Sequence, residues 1–472
     1  MKRLLLHALV PAALLSVEPL GARTWTEAEG GRTVEAELVE VREGMVTLRR
    51  TDGREFQLPL DRLSEADREH VAAATANWPG WQGPNRDNRS PDTGLLKQWP
   101  DGGPTLLWTF DDGGRGYSAP VIVDGRIFIT GSRSKRAELI CLDAASGREL
   151  WSTPIGDDEG KGYNTGWGGG PRGAVTVSGG RVYAITANGE LACVDIESRK
   201  RVWGKDFVED YGGTVPAWGY SESPLVDGDK LVVTPGGGKG AIVAFDKESG
   251  RELWRSKGLT EEAQYSSLVI SEAGGRRQYV QLFMKKLAGV DAADGELLWT
   301  SDWGQGRTAV IPTPVCFGDR VYITAGYGAG CKLVDIGGGS AKDVWENKVM
   351  KNHHGGVVRV DGHIYGFSDG PGLVCQRVED GEMVWNEKGD GIQKGAVHYA
   401  DGMLYGVDEH HGSVFLAEAT PEGYREKGRF PLPRTTKLRE GTGGKVWTHP
   451  VVIGGRLYLR DQDLLFCYDV KE

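Results

Sequence analysis

The chain has 472 residues and a formal charge of −10, from 56 lysines and arginines against 66 aspartates and glutamates, an acidic balance that disfavours a nucleic-acid partner. Glycine accounts for 71 residues, roughly twice ordinary usage, only 39 % of the chain is hydrophobic, and no apolar run beyond the N-terminal segment reaches membrane-spanning length. That excludes an integral membrane protein, and 15 tryptophans with 15 tyrosines along the whole chain point to ordered cores rather than disorder.

The N-terminus runs from Met1-Lys2-Arg3 through an apolar stretch, Leu4 to Leu15, to small residues ending at Gly21-Ala22. This is the charged, hydrophobic and cleavable plan of a secretory signal peptide over residues 1–22, and the apolar stretch is too short to cross a bilayer. No cysteine lies beside it, so a lipoprotein anchor is not expected, and the mature chain is expected to be periplasmic or secreted. Cys141, Cys193, Cys375 and Cys467 recur in one local frame, as in Leu139-Ile-Cys-Leu-Asp143 and Leu465-Phe-Cys-Tyr-Asp469. They read as buried strand residues of a repeat rather than a disulfide framework.

Residues 23–76 alternate apolar and polar positions in Thr33–Val41, Met45–Arg50 and Phe56–Leu58, with Glu43-Gly44 and Asp52-Gly53 as hairpin turns. Ser64-Glu-Ala-Asp67 opens a short helix as a cap. A small barrel follows. Arg23-Thr-Trp-Thr26, Val34-Glu-Ala-Glu37 and Leu58-Pro-Leu-Asp-Arg-Leu-Ser64 resemble the SLA-one homology domain, an SH3-like adaptor module. The resemblance implies a protein-contact surface that includes Trp25.

Residues 77–103, rich in Trp, Pro and Gly, read as a linker. From Trp108 onward a unit repeats at about 40 to 52 residues, the signature of a propeller or solenoid. One unit spans Ser118–Thr130 and Glu138–Trp151, four strands joined by Asp-Gly and Ser-Gly turns. Its hairpin recurs eight times, at Asp124-Gly125, Gly179-Gly180, Asp227-Gly228, Gly274-Gly275, Gly318-Asp319, Asp361-Gly362, Asp401-Gly402 and Gly454-Gly455. The last unit is a strand short, and Pro104–Phe110 supplies an orphan strand that closes the ring, removing the free sheet edges. The frame Leu142-Asp-Ala-Ala-Ser-Gly147 to Trp151, repeated as Phe245-Asp-Lys-Glu-Ser-Gly250 to Trp254, resembles the docking repeat of the PQQ-like β-propeller family. That family includes quinoprotein alcohol dehydrogenases and the BamB-type scaffold of outer-membrane protein assembly. The expected fold is all-β: an eight-bladed PQQ-like β-propeller over 104–472, preceded by a small SH3-like barrel.

In such a blade the segment before the innermost strand faces the axis. The residues there are Tyr117, Arg172, Tyr220 or Ser221, Tyr265, Ile311, His354, Lys394 and Trp447. A structural repeat would reuse one residue type; this mixed aromatic and cationic ring reads as a ligand site, with Glu222, His353 and His449 beside it. Seven of nine histidines lie after residue 350. His353, His354, His410, His411 and His449 fall on that face with acids Asp369, Asp408, Glu409 and Asp461, which makes His354, His410, His449 and Asp369 candidates for a divalent metal. Their spacing matches no ligand motif. Glycine strings Gly168–Gly170 and Gly236–Gly238 precede no helix and so cradle no phosphate.

Two functions remain open. One is an exported envelope binding or scaffold protein, recognising a protein partner or a small ligand on the central face, with no catalytic residues assigned. The other, implied by the resemblance, is a PQQ-dependent alcohol dehydrogenase with PQQ and calcium as cofactors, for which Glu222, Asp369 and Asn352 are calcium candidates and Arg172 and Lys394 carboxylate partners. Against the second, calcium wants six or more oxygens and the vicinal cysteine pair often set against the quinone is missing.

Overall fold

The computed structural model describes residues 23–42, 45–304, 306–389 and 391–472, so the expected signal segment 1–22 and the turn Glu43-Gly44 lie outside the described residues. The chain divides into two compact units, Met1–Ala76 and Asn77–Glu472.

The first unit is a small SH3-like barrel. Strands Arg23–Thr26, Thr33–Arg42, Met45–Arg50 and Glu55–Pro59 pair in chain order, followed by a helix, Glu65–Thr75. Alternation puts Ala36, Leu38, Val46 and Leu48 inside with Leu63 and Val71. Ser64 caps the helix, its Oγ accepting from Asp67 N at 3.2 Å, while the Asp67 carboxylate accepts from Thr26 N at 2.6 Å and Ser64 Oγ at 2.8 Å. Trp25 corrects one expectation. It is 1 % exposed, packs in that core and donates from Nε1 to Ala36 O at 2.8 Å, so it forms no contact surface.

The second unit is an eight-bladed β-propeller, each blade a four-stranded antiparallel sheet. Inner strands are short, as in Val121–Val123, Thr176–Ser178 and Val451–Ile453. Several end in hairpins whose two central residues are both left-handed, such as Asp124-Gly125 and Asp401-Gly402, the backbone a type I′ turn requires. Middle strands such as Arg456–Asp461 are buried on both faces, because each blade is sandwiched between two others. The last blade takes its outer strand from Thr105–Phe110, paired antiparallel to Leu464–Asp469.

Several neighbouring blades are joined by a tryptophan on the outer strand that lies over the turn glycine of the next blade. A Cβ on Gly250 would come within 2.6 Å of the Trp203 ring, and one on Gly295 within 2.5 Å of Trp254; both glycines also have positive φ. The indole N–H donates into the same turn: Trp203 to Lys247 O at 3.1 Å, Trp345 to Val378 O at 3.0 Å, Trp385 to Thr420 O at 2.9 Å. Trp108, on the closing strand, docks in the same manner on Ala144 O at 3.2 Å and over Gly147. The ring therefore closes through the contact that Trp203 and Trp345 make with the blades after theirs.

Residues 77–103 are not a linker. They run through the ring and bond to blade after blade. Trp78 pairs with Ile122, Pro79 O accepts from Val177 N, and Trp81 Nε1 donates to Thr313 Oγ1 at 2.9 Å. The buried Arg86 guanidinium donates to Leu268 O at 2.8 Å and to the carbonyls of Ser223 and Pro224. Asn88 Nδ2 donates to Val397 O, and Arg89–Ser90 adds a parallel strand to Gly395–Ala400 of the seventh blade. Aromatic and polar side chains that read as linker composition are here the groups that satisfy inner-strand carbonyls. Among the described residues no helix is long and apolar enough to cross a membrane.

Candidate functional site

A cavity of about 610 Å³ opens on the axis of the propeller. Each blade contributes a residue from the segment that leads into its inner strand: Tyr117, Arg172, Ser221, Tyr265, Ile311, His354, Lys394 and Trp447 all line it, with His353, His410 and His449. Strand entry fixes this placement, since the chain crosses from an outer strand to the axis at that point in every blade.

The walls are largely aromatic. The rings of His353 and His354 stack at 3.9 Å between centroids, and His354 stacks on Trp447 at 4.4 Å, making a column of three. Tyr327 meets His353 edge-on at 4.2 Å, and Trp81 tilts against His449 at 4.5 Å. Arg172 lies over the Tyr117 ring at 4.8 Å and donates to Trp218 O and Gly168 O, each at 2.8 Å. Burial lowers its pKa and pushes that of Tyr117 up to about 12. Tyr117 donates to Trp167 O at 2.8 Å. Gly168 makes that approach feasible: its φ is +86° and any side chain there would strike the Tyr117 hydroxyl.

The imidazoles are held neutral. His353 is lowered to about 3 and His449 to about 4, by burial first, and His354 falls well below its ordinary value for the same reason, with Lys394 and Arg172 adding repulsion. Hydrogen bonds fix two tautomers. The Lys394 ammonium has only protons to offer and bonds His353 Nδ1, so the His353 proton sits on Nε2. His449 Nε2 donates to His354 O at 2.9 Å, so its Nδ1 is an acceptor. His353 Nε2 and His449 Nδ1 are both buried with no protein partner.

Formal charge on the lining is Arg172, Lys394 and Lys445 against Glu409. Glu409 accepts from Trp447 Nε1 at 2.9 Å and lies 3.5 Å from His354 Nδ1 and 3.4 Å from His410 Nε2. Asp369 lies behind Lys394 at 3.2 Å.

Several expected site residues are placed elsewhere. Tyr220 points away from the axis, edge-on to Phe207, with its hydroxyl donating to Pro235 O at 2.9 Å; alternation along the segment brings Ser221 to the cavity instead. Glu222 is buried beneath the wall, where it accepts from Thr234 N at 2.6 Å, Thr234 Oγ1 at 2.8 Å and Gln281 Nε2 at 3.2 Å. Burial raises its pKa to about 7. Asp461 is taken by Arg439 through two contacts of 2.8 Å, and Asp408 accepts the backbone N–H groups of His410 and His411.

The metal candidates His354, His410, His449 and Asp369 do not converge. Among the described residues no group of three or more His, Cys, Asp or Glu side chains is arranged to hold a metal ion. Calcium fits no better. It takes six to eight oxygens, whereas the Glu222 oxygens accept from Thr234 and Gln281, the Asp369 carboxylate pairs with Lys394, and Asn352 is buried with its amide donating to Gly356 O and Phe367 O.

Sequence reasoning did not pick out Trp81, Trp167, Trp218, Tyr327 and Lys445, all of which line the cavity. Trp167 carried a signal: it precedes the glycine string Gly168–Gly170, and three successive glycines let backbone close on neighbouring rings.

Comparison with known proteins bears on the fold and family. Residues 100–162 and 157–387 match the family model described as Outer membrane protein assembly factor BamB, and residues 16–77 match SLA1 homology domain 1. Quinohemoprotein alcohol dehydrogenase ADH-IIG of Pseudomonas putida is 30 % identical over 207 residues, 42 % of this chain but only 28 % of the enzyme's length. The outer membrane protein assembly factor BamB of Burkholderia pseudomallei is 25 % identical over 348 residues, 66 % of this chain and 86 % of that protein. Among solved structures, the Pseudomonas putida HK5 alcohol dehydrogenase ADHIIG superposes with a TM-score of 0.61 at 14 % identity, covering 86 % of this chain and 82 % of that one, a likeness of fold.

Proposed function

The chain belongs to the PQQ-like propeller family and carries an SLA1 homology domain N-terminal to the ring, and on that footing we propose that it is an exported binding protein of the cell envelope whose central cavity receives a small planar ligand. The observation that carries this is the cavity wall. Tryptophans 81, 167, 218 and 447, tyrosines 117, 265 and 327 and the stacked imidazoles of His353 and His354 surround a volume of small-ligand size. Such a wall offers flat apolar faces to a conjugated ring system. The signal segment 1–22 supplies export, residues 23–76 serve as an adaptor-like module for a protein partner, and residues 77–472 are the binding ring.

The second reading is a PQQ-dependent alcohol oxidoreductase, favoured by the likeness to quinohemoprotein dehydrogenases and by a cavity whose cations, Arg172, Lys394 and Lys445, suit a planar polycarboxylate. In that reading PQQ would take electrons from an alcohol, and the lining offers the Glu409 carboxylate as a base, but among the described residues no calcium-binding oxygen set stands beside it. Thermal-shift measurements on residues 23–472 against planar conjugated acids, PQQ among them, with a dye-linked alcohol assay on the same sample, separate the two. Stabilisation by a planar acid without dye reduction is the expected result. Alcohol-dependent dye reduction would make the chain an oxidoreductase, and no stabilisation by any planar compound would end the small-ligand reading.

A further inference from the structure

We propose that the cavity-side rim of blades five to eight is a docking surface for an acidic protein segment, whose aspartate and glutamate side chains lie along the cations of the loops there. This surface is separate from the small-ligand reading: it is the rim rather than the cavity, and it gives the ring a protein partner of its own.

The charge of the cavity face is split in two. In every blade the chain crosses on this face from an outer strand to the next inner strand, and the eight crossings differ in sign. Those into blades five to eight, residues 303–314, 348–356, 388–394 and 432–450, hold nine lysines and arginines against two acids. Those into blades one to four, residues 111–120, 158–175, 207–224 and 256–268, hold four against nine. In a chain of net charge −10 the basic half-rim is a local reversal, and a field of that sign steers acidic partners to it.

Most of these cations are not neutralised by the fold. Lys394, Arg434 and Arg439 pair with Asp369, Asp111 and Asp461 at 3.2, 2.9 and 2.8 Å. Among the described residues, Arg307, Lys348, Lys351, Lys388, Lys437 and Lys445 have no carboxylate at ion-pair distance. Elsewhere on the ring exposed cations do find one, as Arg277 does with Asp227 at 2.6 Å and Arg425 with Glu418 at 3.1 Å. The Lys348 ammonium donates to Gly328 O at 3.1 Å, which orients it and leaves its full charge. Arg307, Lys348, Lys388 and Lys437 are exposed.

The backbone of the same half-rim is strained at two places. Thr308, next to Arg307, and Tyr327, next to the Gly328 carbonyl that Lys348 bonds, both have a φ of +56°. Among the described non-glycine residues with positive φ they are the β-branched one and the aromatic one, side chains that rarely adopt this region. Such strain collects where a surface is under functional demand. Tyr327 is also 40 % exposed, an aromatic of the kind that anchors protein interfaces.

A chain segment fits this half-rim better than an anionic membrane does. A flat surface over the cavity face would meet the acids of the other half as well, whereas a segment can follow the four basic crossings alone.

The test uses the full chain and a fluorescein-labelled decaglutamate peptide, with a glycine-serine peptide of equal length as the uncharged probe and phosphatidylglycerol vesicles as the anionic surface. Fluorescence anisotropy is expected to show saturable decaglutamate binding, none of the uncharged peptide, and an affinity that falls about tenfold from ~50 to ~300 mM salt. Carbodiimide coupling of the bound peptide should place its amide links on Lys348, Lys351, Lys388, Lys437 and Lys445. Lys348→Glu with Lys388→Glu should weaken binding about tenfold or more, and Lys161→Glu with Lys257→Glu, on the other half, less than about twofold. No decaglutamate binding, links on Lys161 and Lys257, equal losses in the two double variants, or displacement of the peptide by the vesicles would each overturn the docking surface and leave the small-ligand reading standing. The positions of the links on the unmodified protein decide the matter even where a variant fails to fold.

Discussion

The outer rim and the inner rim of the propeller are built from the same repeat and treat it in opposite ways. On the outside, three blades spend a tryptophan on one contact, the indole over a turn glycine and its N–H into the turn, at Trp108, Trp203 and Trp345. On the inside, the cavity position on the segment leading into each inner strand is filled by tyrosine, arginine, serine, isoleucine, histidine, lysine or tryptophan. Repetition marks a packing task that those blades share. Divergence at an equivalent position marks a surface whose demands differ around the ring, as those of an asymmetric ligand do.

That contrast is open to being broken. The most severe challenge is deletion of residues 105–110, which removes Trp108 and leaves Leu464–Asp469 an unpaired edge. The expected loss exceeds the ~5 kcal/mol of a single large core truncation, read as collapse of the thermal transition; an unchanged melting curve would deny closure. Trp254→Ala, at a docking tryptophan 9 % exposed, should cost about 3–5 kcal/mol in urea unfolding without altering ligand affinity.

A third prediction concerns acid. His398 donates from Nδ1 to Asn88 Oδ1 at 2.9 Å and accepts at Nε2 from Val452 N, so a second proton finds no acceptor; burial lowers its pKa to about 3. Between about 6.5 and 3 the unfolded chain binds a proton that the fold refuses, so stability is full above 6.5 and falls as pH falls. His398→Gln should flatten the acid limb of stability against pH by about 1.4 kcal/mol per pH unit; an unchanged slope would show that His398 is not held neutral. The smallest effect is at Trp167, 47 % exposed at the cavity mouth. Trp167→Ala should move stability by no more than about 0.5 kcal/mol yet weaken a planar ligand about tenfold, the reverse of Trp254→Ala.

Much of the fold was legible because periodic features carry it. Asp-Gly hairpins, the Gly-to-Trp frame and the orphan strand Pro104–Phe110 locate eight blades and their closure. The same register puts Tyr117, Arg172, Tyr265, His354, Lys394 and Trp447 at the axis, where the structure gathers them around one cavity. What stayed hidden is not periodic. Residues 77–103 read as a linker because their bonding partners are carbonyls far along the chain, as with Arg86 and Leu268 O. Tyr220 and Glu222 were misplaced because a shift of one residue exchanges cavity for core. Trp25 looked like an exposed adaptor aromatic because a strand of four residues does not reveal which face its barrel buries.

The most direct test of the central claim is hydrogen–deuterium exchange on the full chain with and without saturating PQQ. The account predicts slowed exchange in the cavity segments, residues 163–172, 215–223, 353–356 and 440–450. It predicts no change at the hairpins Asp124-Gly125, Asp361-Gly362 and Asp401-Gly402 on the opposite face. Protection at those hairpins, or no protection anywhere, would contradict it.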